Sequence, residues 1–112
     1  MPDETPLSPP VFHILLALAD RERHGYAIMQ EVEERTDGKV RLGPGTLYGA
    51  LRRMRDDGWI EELEEEGEGE ERRRKYRLTA AGRRVARGEA ERLEELVAAA
   101  HAKKLLRPAR ST

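Results

Sequence analysis

The amino-acid sequence predicts a mainly α fold with a small β-hairpin. Three observations predict it. Apolar residues recur at helical spacing in four segments, glycine and proline punctuate the joints between them, and one stretch sets two strand-like runs either side of a glycine-bearing tip.

Residues 1–7 are polar and proline-containing, so a flexible arm is expected there. Ser8 with Pro9 and Pro10 can start a helix, and Val11, Phe12, Ile14, Leu15, Leu16 and Leu18 behind them make it apolar almost all round, which marks the core helix. His13 interrupts that run with no histidine or acid at metal-binding spacing, so a structural role is expected for it. After a charged connector over residues 20–23, His24-Gly25 opens a second helix from Tyr26 to about Arg35. Ile28 and Val32 face inward there, and Thr36-Asp37-Gly38 ends it. Lys39, Val40, Arg41 and Leu42 alternate charge with apolar bulk, which suits an extended approach that tucks Val40 and Leu42 under the helices.

The central stretch, residues 43–60, reads GPGTLYGALRRMRDDGWI. Gly43-Pro44-Gly45 stops a helix from running in, Thr46 is the candidate cap, and Gly58 is the candidate glycine just past the helix end. Leu47, Leu51 and Met54 share one helical face, while Thr46, Gly49, Arg52 and Arg53 fall on another. Two short helices joined by a glycine-containing connection, the later one cationic outside, form the helix-turn-helix pattern. Arginine there can pair with a guanine edge or a phosphate, threonine can reach a base, and Tyr48 can hydrogen-bond a phosphate. On this helix alone, an ordinary amphipathic helix with solvated arginines is an equally good reading.

Residues 59–63 and 72–78 flank a tip rich in glutamate and glycine and predict a hairpin, with Ile60 and Tyr76 inward and Trp59 packing it on the helices. A hairpin directly after a recognition helix is the wing of a winged helix-turn-helix. Thr79 can cap the last helix, although Gly82 stands where a capping box wants Glu or Gln. Along that helix Ala86, Ala90, Leu93, Val97 and Ala100 recur at spacings of four and three, with Leu96 alongside, as a heptad seam. A seam so short and alanine-rich is expected to pack on its mate and on the first helix of a partner subunit; packing back on its own domain is the alternative. The predicted architecture is a winged helix-turn-helix over residues 8–78 plus a C-terminal dimerisation helix over residues 79–104, with residues 105–112 a flexible tail.

A length of 112 residues suits one compact domain. Hydrophobic and charged residues each make up 38% and aromatics only 4%, so much of the apolar content lies on helix faces, and burying it calls for a partner chain. The absence of cysteine excludes a disulfide framework and thiolate metal sites. No apolar run approaches a membrane span and the first ten residues lack signal-peptide features, so no membrane association and a cytoplasmic location are expected. His13, His24 and His101 are scattered, and the serines, Ser8 and Ser111, lie near the ends. No nucleophile with a base can be assembled, and neither catalysis nor a cofactor is expected. A net charge of −1 argues against nucleic acid as a total, but charge is segregated. Lys39, Arg41, Arg52, Arg53 and Arg55 occur with no acid between the first and last of them; acids without bases fill residues 61–71; bases return from Arg72. A phosphate backbone feels the local field.

With these parts in this order, the chain resembles the PadR family of bacterial transcriptional regulators in its short form with one C-terminal helix. The resemblance spans about residues 8–101. It rests on His24-Gly25-Tyr26, on Gly43-Pro44-Gly45-Thr46-Leu47-Tyr48, on Leu51 with Gly58-Trp59-Ile60, and on Arg74-Lys75-Tyr76-Arg77-Leu78-Thr79 followed by Gly82. It implies a homodimeric repressor that binds double-stranded DNA at a roughly palindromic operator and is released by a small-molecule effector or stress signal. The family's recognition positions fall on Thr46, Leu47, Tyr48 and Arg52, of which Leu47 has core spacing; helical geometry adds Arg53, and Lys39 and Arg41 are added as phosphate contacts. Glu68, Glu70 and Glu71 at the tip would be repelled by phosphate, which leaves Arg73 and Lys75 on the returning strand for any wing contact. No aromatic follows Tyr76, so no stacking drug pocket is expected on the last helix. The competing reading is a protein-interaction module on a winged-helix scaffold that has lost specific DNA binding and takes its partner through residues 61–71. The cationic block over residues 39–55 favours DNA.

Overall fold

The computed structural model describes residues 6–64 and 74–107. The elements run α1 (Pro9–Ala19), β1 (Arg23–His24), α2 (Gly25–Arg35), α3 (Pro44–Asp56), β2 (Ile60–Glu64), β3 (Arg74–Leu78) and α4 (Ala80–Ala102). This is the mainly α architecture with a small hairpin that the spacing predicts. The sheet is antiparallel in the order β1-β3-β2, with Ile60 opposite Leu78, Glu62 opposite Tyr76, and Arg23 on the far side of Tyr76. The first strand is a correction to the sequence reading, which treats residues 20–23 as a connector; two paired residues are too few to show alternation.

The core lies where α1, α2 and α3 meet. Ile14, Leu15 and Leu18 pack with Ile28, Val32, Leu47, Leu51 and Met54, and Ile60, Tyr76 and Leu78 close it from the sheet. The predicted inward face of α3 is therefore the buried one.

Backbone chemistry sets the joints. Gly58 takes φ 81°, and its N–H and that of Trp59 reach back to the carbonyls of Arg55 at 3.0 Å and Met54 at 2.9 Å, which closes the exposed carbonyl end of α3. The end of α2 uses the same pair of bonds, from Asp37 to Glu34 and Gly38 to Glu33, with Asp37 in the left-handed position at φ 56°. The Thr36 hydroxyl donates to the Val32 carbonyl at 2.8 Å and accepts the Val40 N–H at 3.0 Å, fastening the approach that buries Leu42. Thr46 does not cap α3. Gly43 is the N-cap without a side-chain bond, because Pro44 supplies the first-turn backbone angle and the helix begins before Thr46, whose side chain is exposed.

Thr79 does cap α4, accepting the Gly82 N–H at 3.0 Å while donating to the Gly58 carbonyl at 2.6 Å. Gly82 replaces the capping-box acid because any β-carbon there would collide with the Trp59 carbonyl. The front half of α4 packs on its own α1, so Ala86 serves the core of its own domain together with Val85. Beyond it Leu96 and Val97 stand 55% and 49% exposed.

The last residue of the expected arm has tertiary contacts. Leu7 packs against the core and its N–H points to Glu89 Oε1 at 3.4 Å, while Arg92 holds the same buried carboxylate at 2.6 and 3.0 Å. Residues 1–5 of the arm, 108–112 of the tail and the hairpin tip with Glu68, Glu70 and Glu71 lie outside the described residues. No helix among the described residues is long and apolar enough to cross a membrane.

Candidate nucleic-acid interface

Tyr48, Arg52 and Arg55 follow one another at i, i+4 and i+7 along the outer side of α3. With Glu62, Arg74 and Tyr76 from the sheet they line a cleft of about 70 Å³, floored by Leu51. The strand register explains the company: Tyr76 pairs with Glu62, and Arg74 lies two residues before Tyr76 on the same face of β3. Burial and the Glu62 carboxylate push the Tyr76 hydroxyl above its ordinary pKa.

Tyr48 is 43% exposed, and its hydroxyl end lies against Gly25 at the first residue of α2. Tyr26, 62% exposed, follows directly in the chain. The His24-Gly25-Tyr26 segment thus lies beside the recognition helix, which accounts for its glycine.

The cations differ in their engagements. Lys39, Arg52 and Arg53 make no ion pair among the described residues. Arg41 is loosely paired with Glu33 at 3.6 Å, both largely exposed. Arg55 pairs with Glu62 at 3.1 Å, and Arg74 pairs with the other oxygen of Glu62 at 3.2 Å.

The expected site residues are therefore only partly brought together. Tyr48 and Arg52 share the cleft, and Thr46 is exposed in the turn of α3 that precedes them. Lys39 and Arg41 are exposed on the approach to that helix. Arg53 points away and lines a different, larger cleft of about 270 Å³ with Leu7, Val11, Asp57 and Trp59, because one residue along a helix turns the side chain by about 100°. Lys75 lies half-buried on the face of β3 opposite to Arg74 and Tyr76. Arg73 lies outside the described residues. Arg55, Arg74 and Tyr26 are additions. Arg55 was legible from its helical spacing to Tyr48, whereas Arg74 needed the strand register.

The acidic run is not an open surface over its described part. Glu61 binds Arg77 at 3.0 Å, and Glu62 is held between Arg55 and Arg74.

The family described as "Transcriptional regulator PadR-like family" matches residues 14–88. Over 83 residues, 74% of this chain, the sequence is 45% identical to a 37.1 kDa protein in transposon TN4556 of Streptomyces fradiae, and the match spans 22% of that protein's length. It is 39% identical over 84 residues to transcriptional regulator Rv3488 of Mycobacterium tuberculosis, covering 75% of each chain. Bacillus subtilis PadR, solved in complex with operator DNA, shares the fold with a TM-score of 0.61 at 19% identity, over 91% of this chain and 49% of that one. The winged helix-turn-helix built on α2, α3 and the β2–β3 hairpin, together with the match over residues 14–88, places this chain in the PadR-like family of transcriptional regulators.

Proposed function

We propose that the chain is a sequence-specific DNA-binding regulator, acting as a homodimeric repressor at a roughly palindromic operator and released by a small-molecule or stress signal. The observation that carries the reading is the outer side of α3, where Tyr48 and Arg52, which makes no ion pair among the described residues, stand exposed on a helix whose other face is buried. Thr46, Tyr48 and Arg52 reach into the major groove, and Lys39, Arg41 and Arg53 meet phosphates on either side. Lys75 and Arg73 supply the wing contact, joined by Arg74. The shared fold of the Bacillus subtilis protein, which was solved with operator DNA, supports DNA binding, and the family resemblance supports release by an effector.

Dimerisation runs through Ala90, Leu93, Leu96, Val97 and Ala100, with Ala86 at the inner end of the seam, and Leu96 and Val97 are exposed for it. The winged domain then comprises residues 8–78 and the dimerisation helix residues 79–104, in a cytoplasmic protein.

Fluorescence anisotropy with the gene's own upstream DNA, in a salt series and against a scrambled duplex, tests the proposal. Selective binding that weakens steeply with salt is expected. No binding to either duplex at low salt would overturn it and leave the interaction module as the better reading.

A further inference from the structure

Glu62 is the acid in a cleft otherwise lined by arginine, tyrosine and leucine. One of its oxygens accepts from Arg55 Nη1 at 3.1 Å and the other lies 3.2 Å from Arg74 Nη1, so a single carboxylate bridges the last turn of α3 and the first residue of β3. Its side chain is 21% exposed, against 43% for Arg55 and 67% for Arg74. The carboxylate is sheltered while both guanidinium groups still face solvent. Each guanidinium carries five N–H donors, so the bridge leaves donors open for an anion while the trio's net charge falls from +2 to +1.

We propose that Glu62 is a specificity-determining residue, which fastens the wing strands to the recognition helix and cancels one of the two charges that Arg55 and Arg74 would otherwise offer to DNA of any sequence. The inference rests on the DNA-binding reading above. Affinity for arbitrary DNA comes almost wholly from phosphate neutralisation, whereas an operator also draws on base contacts. A carboxylate fixed among the phosphate-facing cations therefore lowers the first kind of binding more than the second. Glu61, the next residue, pairs with Arg77 on the other face of the strand and serves as the internal control for bulk charge.

Glu62→Gln keeps the size and one acceptor for the bridge and removes the charge; Glu62→Ser makes the same charge change should the glutamine protein unfold. Wild type, Glu62→Gln and Glu61→Gln are compared for affinity to the operator and a scrambled duplex across a salt series, and for the salt at which each leaves a heparin column. The expected result for Glu62→Gln is about five- to tenfold tighter binding to the scrambled duplex, a salt slope steeper by about one unit, later elution from heparin, and a smaller gain on the operator. Glu61→Gln is expected to match wild type. Unchanged scrambled-duplex affinity and slope, an equal gain in both variants, or weaker binding of Glu62→Gln to both duplexes with an unchanged melting temperature would each overturn the inference and leave the DNA-binding reading standing. Failure of all three proteins to bind DNA or heparin would overturn both.

Discussion

The hydroxyl of Tyr48 stands over Gly25, 2.5 Å from where a β-carbon on that glycine would be. This packing joins the outer side of α3 to the first residue of α2. A methyl group at Gly25 would push the ring aside without meeting backbone, and the exposed ring has room to swing outward. Gly25→Ala is expected to change stability by no more than about 1 kcal/mol. Gly25→Ala and Tyr48→Ala are both expected to weaken operator binding about tenfold, because a tenfold change corresponds to about 1.4 kcal/mol, the worth of one well-placed hydrogen bond to DNA. Thermal melts and anisotropy together check it. Full operator affinity in Gly25→Ala would show that the ring's position does not matter.

Gly82 gives the opposite outcome. The obstacle there is the backbone carbonyl of Trp59, which also accepts the Thr79 N–H at 3.0 Å and cannot move without breaking the junction between sheet and α4. Gly82→Ala is expected to lose about 2 kcal/mol despite alanine's better helix propensity. Urea unfolding measures it, and a stabilised variant would contradict the packing.

Asp37 holds a left-handed conformation at φ 56° where glycine is the unstrained residue. Asp37→Gly is expected to raise stability by about 0.5 kcal/mol, the relief of strain exceeding the entropy glycine loses. A drop in the urea midpoint would show that the aspartate side chain contributes more than the strain costs.

His13 lies on α1 with its Nδ1 3.1 Å from Arg35 Nη1, and Arg35 also bonds its carbonyl and Glu31. Burial, then the neighbouring guanidinium, lowers its pKa below the ordinary histidine value near 6.5. The native chain therefore binds fewer protons than the unfolded chain in that range. The contribution is fully present above about pH 6.5 and is lost as pH falls through the lower folded value. NMR titration of the His13 ring should give a midpoint below 6.5, and His13→Gln should flatten the stability difference between about pH 7.5 and 5.5. A midpoint above 6.5 would reverse the sign.

Leu96 and Val97, half-exposed on the rear of α4, test the proposed dimer. Replacing both with glutamate leaves the described core untouched and is expected to yield a folded monomer by sedimentation velocity, with operator affinity reduced about a hundredfold or more because two half-sites are no longer engaged together. A dimer of unchanged affinity would place the interface elsewhere.

The four helices, the closing turn at Gly58, the buried face of Leu47, Leu51 and Met54, and the inward Ile60 and Tyr76 were all legible in the sequence. Hydrophobic period and glycine placement belong to contiguous residues, where burial of one face and relief of backbone strain leave a local mark. The cap expected at Thr46 fails because a proline two residues earlier can start the helix unaided. β1 was invisible because two residues carry no period, and Leu7 because its support comes from Glu89 on the last helix. The bridge from Glu62 to Arg55 and Arg74, and the fits of Tyr48 over Gly25 and Trp59 over Gly82, all join segments distant in the chain. Helix crossing and strand register bring those segments together, and both are set by the packing of the whole core, which no short stretch of residues encodes.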